Sequence, residues 1–319
     1  MSRRYLIKRL AGASVTLLGV AVLVFVVLRL IPGDAITASL GTEAGALSPG
    51  QRAALEDYYG IGDPPLQQFF SWLGNVVTGN LGVARQSGRS VSSLVADALP
   101  VTLELAVLST ILGTAVGMLL GVMSASRPGA ARDVAGQGFS FFGLITPSFV
   151  VATAFVTIVA TRFRYFPNAA AYAGLFESPG LNLQQMLFPT ITLSLVISAT
   201  VFRTTRSAYL EASDRDFVRF ARSKGVPEGR IRWRHVLPNA AIPIVTITGI
   251  QFGYLLGGTV IIEQIFQLPG LGRLVLLGIE QREYAIVQSV VLLIAAGFVA
   301  INLLVDLLYA RIDPRVTYA

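Results

Sequence analysis

The sequence predicts an all-α polytopic membrane protein with six transmembrane helices. Three observations carry this expectation. The 319 residues are 53% hydrophobic and 13% charged, with a mean hydropathy of +0.65. A soluble domain carries about 25% charged residues. The apolar residues gather in six windows, each near the ~20 residues that a bilayer-spanning helix needs. The 25 Lys and Arg residues concentrate in alternate connections between those windows.

The first window, Leu10–Leu28, is uncharged and follows Arg3, Arg4, Lys8 and Arg9. Those flanks suit a signal peptide. The run is longer than the usual ~7–15-residue apolar core, however, and no small-x-small site closes it, so it reads as an uncleaved anchor. The second window, Val101–Ala125, holds one charge, Glu104. The third, Val134–Ala160, contains Pro147, which is expected to kink it. The fourth and fifth, Asn182–Phe202 and Ala240–Ile262, are uncharged. The sixth, Ala285–Val305, is uncharged and precedes Asp306, which is expected to pair with a neighbouring basic residue.

Six crossings place both termini on one side. With the termini inside, 17 of the Lys and Arg residues lie inside and 8 outside. The positive-inside rule then puts both termini in the cytoplasm. The same distribution accounts for the net charge of +7 without a nucleic-acid partner. The expected organisation is a helix plus an extracytoplasmic segment (1–97), a five-helix core (98–310) with a cytoplasmic loop at 203–238, and a tail (311–319).

Two helix signatures lie in the extracytoplasmic segment. Ser48-Pro49-Gly50-Gln51 reads as a capping box. Pro64-Pro65 opens a run that places Leu66, Phe69, Phe70, Leu73, Val76 and Val77 on one face, with Trp72 nearby. That face lies either along the outer interface or against the protein's own spans.

Glycines recur at four-residue spacing in the second window (Gly113, Gly117, Gly121) and in the fifth (Gly249, Gly253, Gly257). Such stripes let helix backbones approach closely in lipid.

Several chemistries are excluded. There is no cysteine and one histidine, His235, so neither a disulfide, a thiolate site nor a multi-histidine metal site exists within the chain. No GxxxxGK[ST] phosphate loop occurs, so the chain is not expected to hydrolyse ATP. HExxH, GxSxG and a Ser/His/Asp set are also missing, and no catalytic residue is expected. An ion-coupled secondary transporter usually carries titratable groups near the midplane. Here Glu104 and Asp306 alone come close, both near window ends.

Between windows four and five lies DRDFVRFARSKGVPEGRIRWRHVLP, Asp214–Pro238. Asp216 is expected to cap a helix from Phe217 to about Lys224, with Gly225 in the left-handed C-terminal position. Phe217, Phe220 and Ala221 share a face. Pro227 is expected to open a second helix ending before Pro238. Three readings compete: a loop that enforces topology, a DNA-binding helix pair, and a docking hairpin for an ATPase. Ala221, Gly225 and Ile231 match helix-turn-helix spacing, but both ends are tied to spans and no linker reaches a duplex.

The hairpin resembles the coupling loop of binding-protein-dependent ABC importer permeases, whose consensus is Glu-Ala-Ala-x-x-x-Gly-(nine)-Ile-x-Leu-Pro. Anchored on Gly225 and Leu237-Pro238, the slots read Arg219, Phe220, Ala221, Gly225, His235, Leu237 and Pro238. The first two slots and the Ile slot depart from the consensus, and Glu211-Ala212 is out of register. The departure resembles the dipeptide/oligopeptide/nickel branch, where an Arg-x-Ala-Arg-x-Lys-Gly run is usual. The stretch from Tyr5 to Pro32-Gly33-Asp34 is similar to that branch. So are Tyr59-Gly60 with Asp63 to Leu66, Trp72, Gly79-Asn80-Leu81-Gly82, Glu263 to Gly272, and Asn302 to Pro314.

The resemblance implies a type I importer permease fold and the B-type subunit of an ATP-driven importer in a bacterial or archaeal plasma (inner) membrane. Spans two to six would form its core, with span one peripheral. The implied cargo is a short peptide; nickel chelates or a haem-type solute are the alternatives. Implied partners are a second homologous permease, two ABC ATPase subunits and an extracytoplasmic solute-binding protein. ATP and Mg belong to the ATPases, leaving this chain without cofactor or metal. The implied ATPase-facing residues are Asp216, Phe217, Arg219, Phe220, Ala221, Arg222, Lys224, Gly225, Leu237 and Pro238. Glu104 either meets a peptide's amino group on the path or makes a structural pair. Phe266, Pro269 and Gly270 are expected to meet the binding protein and gate the outer mouth.

Overall fold

The computed structural model describes residues 3–30, 45, 47–51, 63–84, 86–164 and 172–312. The described residues are helical almost throughout. Helix α1 is Arg3–Leu30, α2 Pro65–Val77, α3 Val91–Ala125, α4 Ala131–Ile145, α5 Ser148–Phe163 and α6 Pro179–Ser213. A hairpin follows, then α10 (Ala241–Gly258), α11 (Val260–Ile265), α12 (Leu271–Glu280) and α13 (Tyr284–Ile312). Among the described residues five helices are long and apolar enough to span a membrane, or six if α4 and α5 together count as one crossing.

The third window is broken rather than kinked: α4 and α5 meet at 95°. Thr146 is extended (ψ 117°), because the residue before a proline is pushed out of the α region, and Pro147 then starts a new helix. The fifth window is also interrupted, ending at Gly258 before α11 begins. Windows two and four are much longer as helices, 35 residues each. At ~1.5 Å per residue each exceeds the ~30 Å hydrocarbon core. Their polar ends escaped the hydropathy windows although they continue the helix. Ser90 caps α3 eleven residues before that window begins, its Oγ accepting the Ser93 N–H at 3.2 Å.

The α3–α6 pair is the centre of the fold, and the first glycine stripe makes it. A Cβ on Gly113 would stand 2.7 Å from Ile197 Cβ, and one on Gly117 2.6 Å from the Ser198 carbonyl oxygen. One on Gly121 would stand 2.8 Å from Thr205 Cβ. The second stripe serves another pair. Gly249 faces Val305, Gly253 the Phe298 ring and Gly257 Ile294, so α10 packs on α13. Thr114 and Thr248 share a 3.3 Å hydrogen bond that joins the two pairs through α3 and α10.

Helix α1 lies at the edge, with much of its apolar surface exposed, and touches α13. Arg9 donates to Asp306 Oδ1 at 3.0 Å, so the basic partner of Asp306 comes from the first span. Helix α2 packs on that same span: Phe69 is buried edge-on against Phe25, with Trp72 alongside. Leu66, Phe70 and Val77 stay exposed. The capping box forms reciprocally. Ser48 Oγ accepts the Gln51 N–H at 3.3 Å and Gln51 Oε1 accepts the Ser48 N–H at 3.0 Å.

Candidate coupling site

The hairpin between α6 and α10 is a rigid element with two different faces. Its first arm is α7, Asp216–Ser223. Asp216 does not cap it. Arg215 occupies the extended N-cap position, without a side-chain cap bond, and Asp216 is the first helical residue. A carboxylate in the first turn still opposes the positive end of the helix dipole. The C-terminus closes as the sequence suggests. Gly225 takes φ +73° and donates its N–H to the Arg222 carbonyl at 2.9 Å. Val226 donates to the Ala221 carbonyl at 3.2 Å, completing a Schellman motif.

The second arm is α8 (Glu228–Arg230), a π-helical turn (Ile231–Val236) and α9 (Leu237–Asn239). The helix therefore continues through Pro238 instead of stopping before it. Leu237 donates its N–H to Arg232, five residues back. An α-turn would press the proline ring on the carbonyl four residues earlier, and the wider π turn leaves it room. Arg222 Nε and Glu228 Oε1, 2.9 Å apart, fasten the two arms.

The inner face is apolar. Val218, Ile231 and Val236 are 0% exposed and join Ala221 in the main core. Ala221 thus points into this chain's own interior, a correction to the expectation that it meets an ATPase beside Phe217 and Phe220. Helical geometry sets the division: Val218 and Ala221, three apart, share the buried face, while Phe217 and Phe220 lie on another. Phe220 is 61% exposed, with the Lys224 ammonium 4.5 Å from its ring centroid. On the second arm Trp233 is also exposed, at 49%. The signal for Trp233 in the sequence is the run Arg232-Trp233-Arg234, which sets an amphipathic ring among cations. Gly225 has no heavy atom near its missing Cβ, so the site needs glycine for its backbone conformation and not for space.

The hairpin end of α6 is locked to α4. Arg206 donates from Nε to Asp133 Oδ1 at 2.8 Å and from Nη2 to Oδ2 at 3.0 Å. Ser124 Oγ, the Gly129 N–H and Gln137 also donate to this buried carboxylate. One acidic side chain thereby ties together α3, the turn after it, α4 and α6.

A second buried carboxylate organises the opposite part of the fold. Glu263 is fully buried; its Oε1 accepts from Thr102 and Thr259, each at 2.8 Å. Its Oε2 accepts the Arg273 backbone N–H at 3.0 Å, and Thr102 Oγ1 accepts the Leu271 N–H at 2.8 Å. These bonds satisfy two open N–H groups at the start of α12. Gly270 and Gly272 lie against the same carboxylate, where any Cβ would collide. Phe266 and Gly270 are buried in this arrangement, which corrects their assignment to an outer contact surface. Of the three, Pro269 alone is exposed.

Glu104 sits more than three turns into α3, because that helix starts at Val91. Its Oε2 accepts the Tyr172 O–H at 2.6 Å, and Asn182 Nδ2 donates to the Tyr172 oxygen at 3.1 Å. Burial first, and then the Glu104 carboxylate, hold the Tyr172 hydroxyl above its usual range, so it stays a donor. This favours the structural-pair reading of Glu104. Among the described residues no group of three or more His, Cys, Asp or Glu is placed to hold a metal ion.

Glycine-packed apolar helices and a capped basic hairpin between two of them define a polytopic helical membrane protein. The chain belongs to the family described as the binding-protein-dependent transport system inner membrane component, whose pattern matches residues 117–318. The corresponding N-terminal family of transport-system membrane components matches residues 2–106. A probable peptide ABC transporter permease protein of Sinorhizobium fredii is 36% identical, over 98% of this chain and 99% of its own. A glutathione transport system permease protein of Pectobacterium atrosepticum is 36% identical over the same shares. An oligopeptide transport system permease protein of Bacillus subtilis is 33% identical, again over 98% and 99%. This chain is thus a multi-pass permease component of a membrane transport system.

Proposed function

We propose that this chain is one of two homologous permeases in an ATP-driven importer of short peptides. One of two ATPase subunits would dock on its hairpin, and a solute-binding protein would deliver cargo from the far side. The observation that carries the reading is the two-faced hairpin. Its inner face is continuous with the permease core, so a push on the hairpin is transmitted to α6 and α10. Its outer face offers Phe217, Phe220 and Trp233 as apolar knobs, with Arg219, Arg222 and Lys224 around them to select an acidic rim.

The peptide cargo is supported by the names of the relatives, two of which are called peptide or oligopeptide permeases. The absence of a phosphate loop from the sequence supports placing ATP and Mg on the partners. The excess of Lys and Arg in the hairpin and the first residues supports cytoplasmic termini. Closure of the ATPases around nucleotide would swing the hairpin and shift α6 against α4 and α10, alternately opening the two ends.

The test is peptide uptake into proteoliposomes containing the complete complex. Uptake should require both internal ATP and external binding protein. Uptake that persists without ATP and collapses with an ionophore would instead identify an ion-coupled transporter. ATP-dependent uptake of a nickel chelate or haem, with no peptide uptake, would keep the machine and replace the cargo.

A further inference from the structure

We propose that Arg203 on α6 is a contact on the translocation route that receives the carboxylate of the passing solute. The inference deepens the permease reading and rests on it. Arg203 lies ten residues before the end of α6, about 15 Å along the helix axis at 1.5 Å per residue. Its side chain is exposed, and among the described residues it has no hydrogen bond or ion pair. One turn further on, Arg206 shows what a structural arginine looks like here, held by both oxygens of Asp133.

Arg203 is the first residue past the apolar window of α6 (Asn182–Phe202), so its exposed guanidinium stands at the end of the span nearest the hairpin, facing water or an opposite charge rather than lipid. The surroundings of Arg203 fit the former. Thr200, Thr204 and Ser207 lie beside it at helical spacing and make a hydroxyl stripe rather than the aromatic and aliphatic face that fills interface cores. Concave space lies on both sides. One groove of about 610 Å³ runs between α4 and α6, with Phe141 and Ile145 on its far wall. Another, of about 510 Å³, runs between α6 and α10 past Pro243. Arg203 and Ser207 border both.

The other charges along these grooves cancel. Arg206 is neutralised by Asp133, and Glu211 is engaged by Arg215 at 2.6 Å. The junction of the grooves is therefore positive through Arg203. Apolar walls strengthen its pull on an anion, and the planar guanidinium matches a carboxylate in two parallel bonds. The C-terminus of a short peptide carries that group.

The experiment uses proteoliposomes with the complete importer, and compares trialanine with trialanine amide at saturating binding protein. Arg203→Gln should lower trialanine uptake about tenfold, the scale of one charge-assisted interaction, while amide uptake is unchanged. The acid-to-amide ratio should collapse accordingly. Arg203→Lys should keep most of the ratio. An equal fall for both peptides, or an unchanged ratio, overturns the proposal. So does loss of the second permease from the purified Arg203→Gln complex, which would show that Arg203 pairs with that subunit. Uptake of neither peptide by the wild type would instead overturn the peptide reading beneath it.

Discussion

Arg206 grips both carboxylate oxygens of Asp133, at 2.8 and 3.0 Å, across the packed faces of α4 and α6. The carboxylate is 2% exposed and the guanidinium 26%. Removing one member of a buried pair leaves the other charge uncompensated and costs about 3–5 kcal/mol. Asp133→Ala should therefore lower the unfolding temperature of the detergent-purified protein sharply, by the equivalent of about 3 kcal/mol, since partial exposure of Arg206 relieves some of the penalty. A thermal melt unchanged from wild type would show that the pair contributes little.

Gly225 offers a test that separates conformation from space. Its φ is +73° and nothing crowds the position of its absent Cβ. Gly225→Asn should keep most uptake, because asparagine tolerates the left-handed region, whereas Gly225→Val should abolish it with the chain still in the membrane. Equal activity of the two variants would remove the Schellman closure from the account.

The glycines of α3 should be sensitive and those of α1 should not. Gly117→Ala puts a methyl within 2.6 Å of the Ser198 carbonyl oxygen, backbone that has nowhere to go. Overpacking of this kind costs about 1–3 kcal/mol. Gly12 and Gly19 have nothing within 4 Å, so alanine there should be neutral. Thermal stability of the three variants in detergent decides the matter.

Glu263 gathers three hydrogen bonds in the interior. Glu263→Ala strips the start of α12 of a partner and opens a cavity beneath Gly270 and Gly272. With ~1.5–3 kcal/mol per hydrogen bond to a charged group, the variant should lose at least about 3 kcal/mol, read as a lowered melting temperature or failure to accumulate in membranes.

The two faces of the hairpin should respond in opposite ways. Phe220→Ser should leave the melting temperature unchanged while ATPase subunits no longer co-purify. Ala221→Leu should lower the melting temperature, by about 1–3 kcal/mol of overpacking, because Ala221 is 7% exposed in the core. Loss of ATPase binding in neither variant would argue against docking on this hairpin.

Much of this architecture is written in local chemistry. Hydropathy reports which solvent a segment needs, so the six apolar windows, the all-helical class and the excess of basic residues in the hairpin needed no coordinates. Local backbone rules also reached Gly225 and the Ser48–Gln51 capping box, since both depend on residues within one or two turns. Other features needed the folded chain. Hydropathy does not distinguish an apolar residue that faces its own core from one that faces a partner, and Ala221 and Phe266 turned inward. It also missed the polar continuations of α3 and α6. The pairings of Asp133 with Arg206 and of Glu263 with Thr102, which join residues 73 and 161 apart, arise only when distant helices pack. The sequence alone settled the solvent, the helices and the rigid turn of the hairpin. Tertiary packing decided which face of each helix is buried and which charges are neutralised, because both depend on neighbours that sequence spacing does not specify.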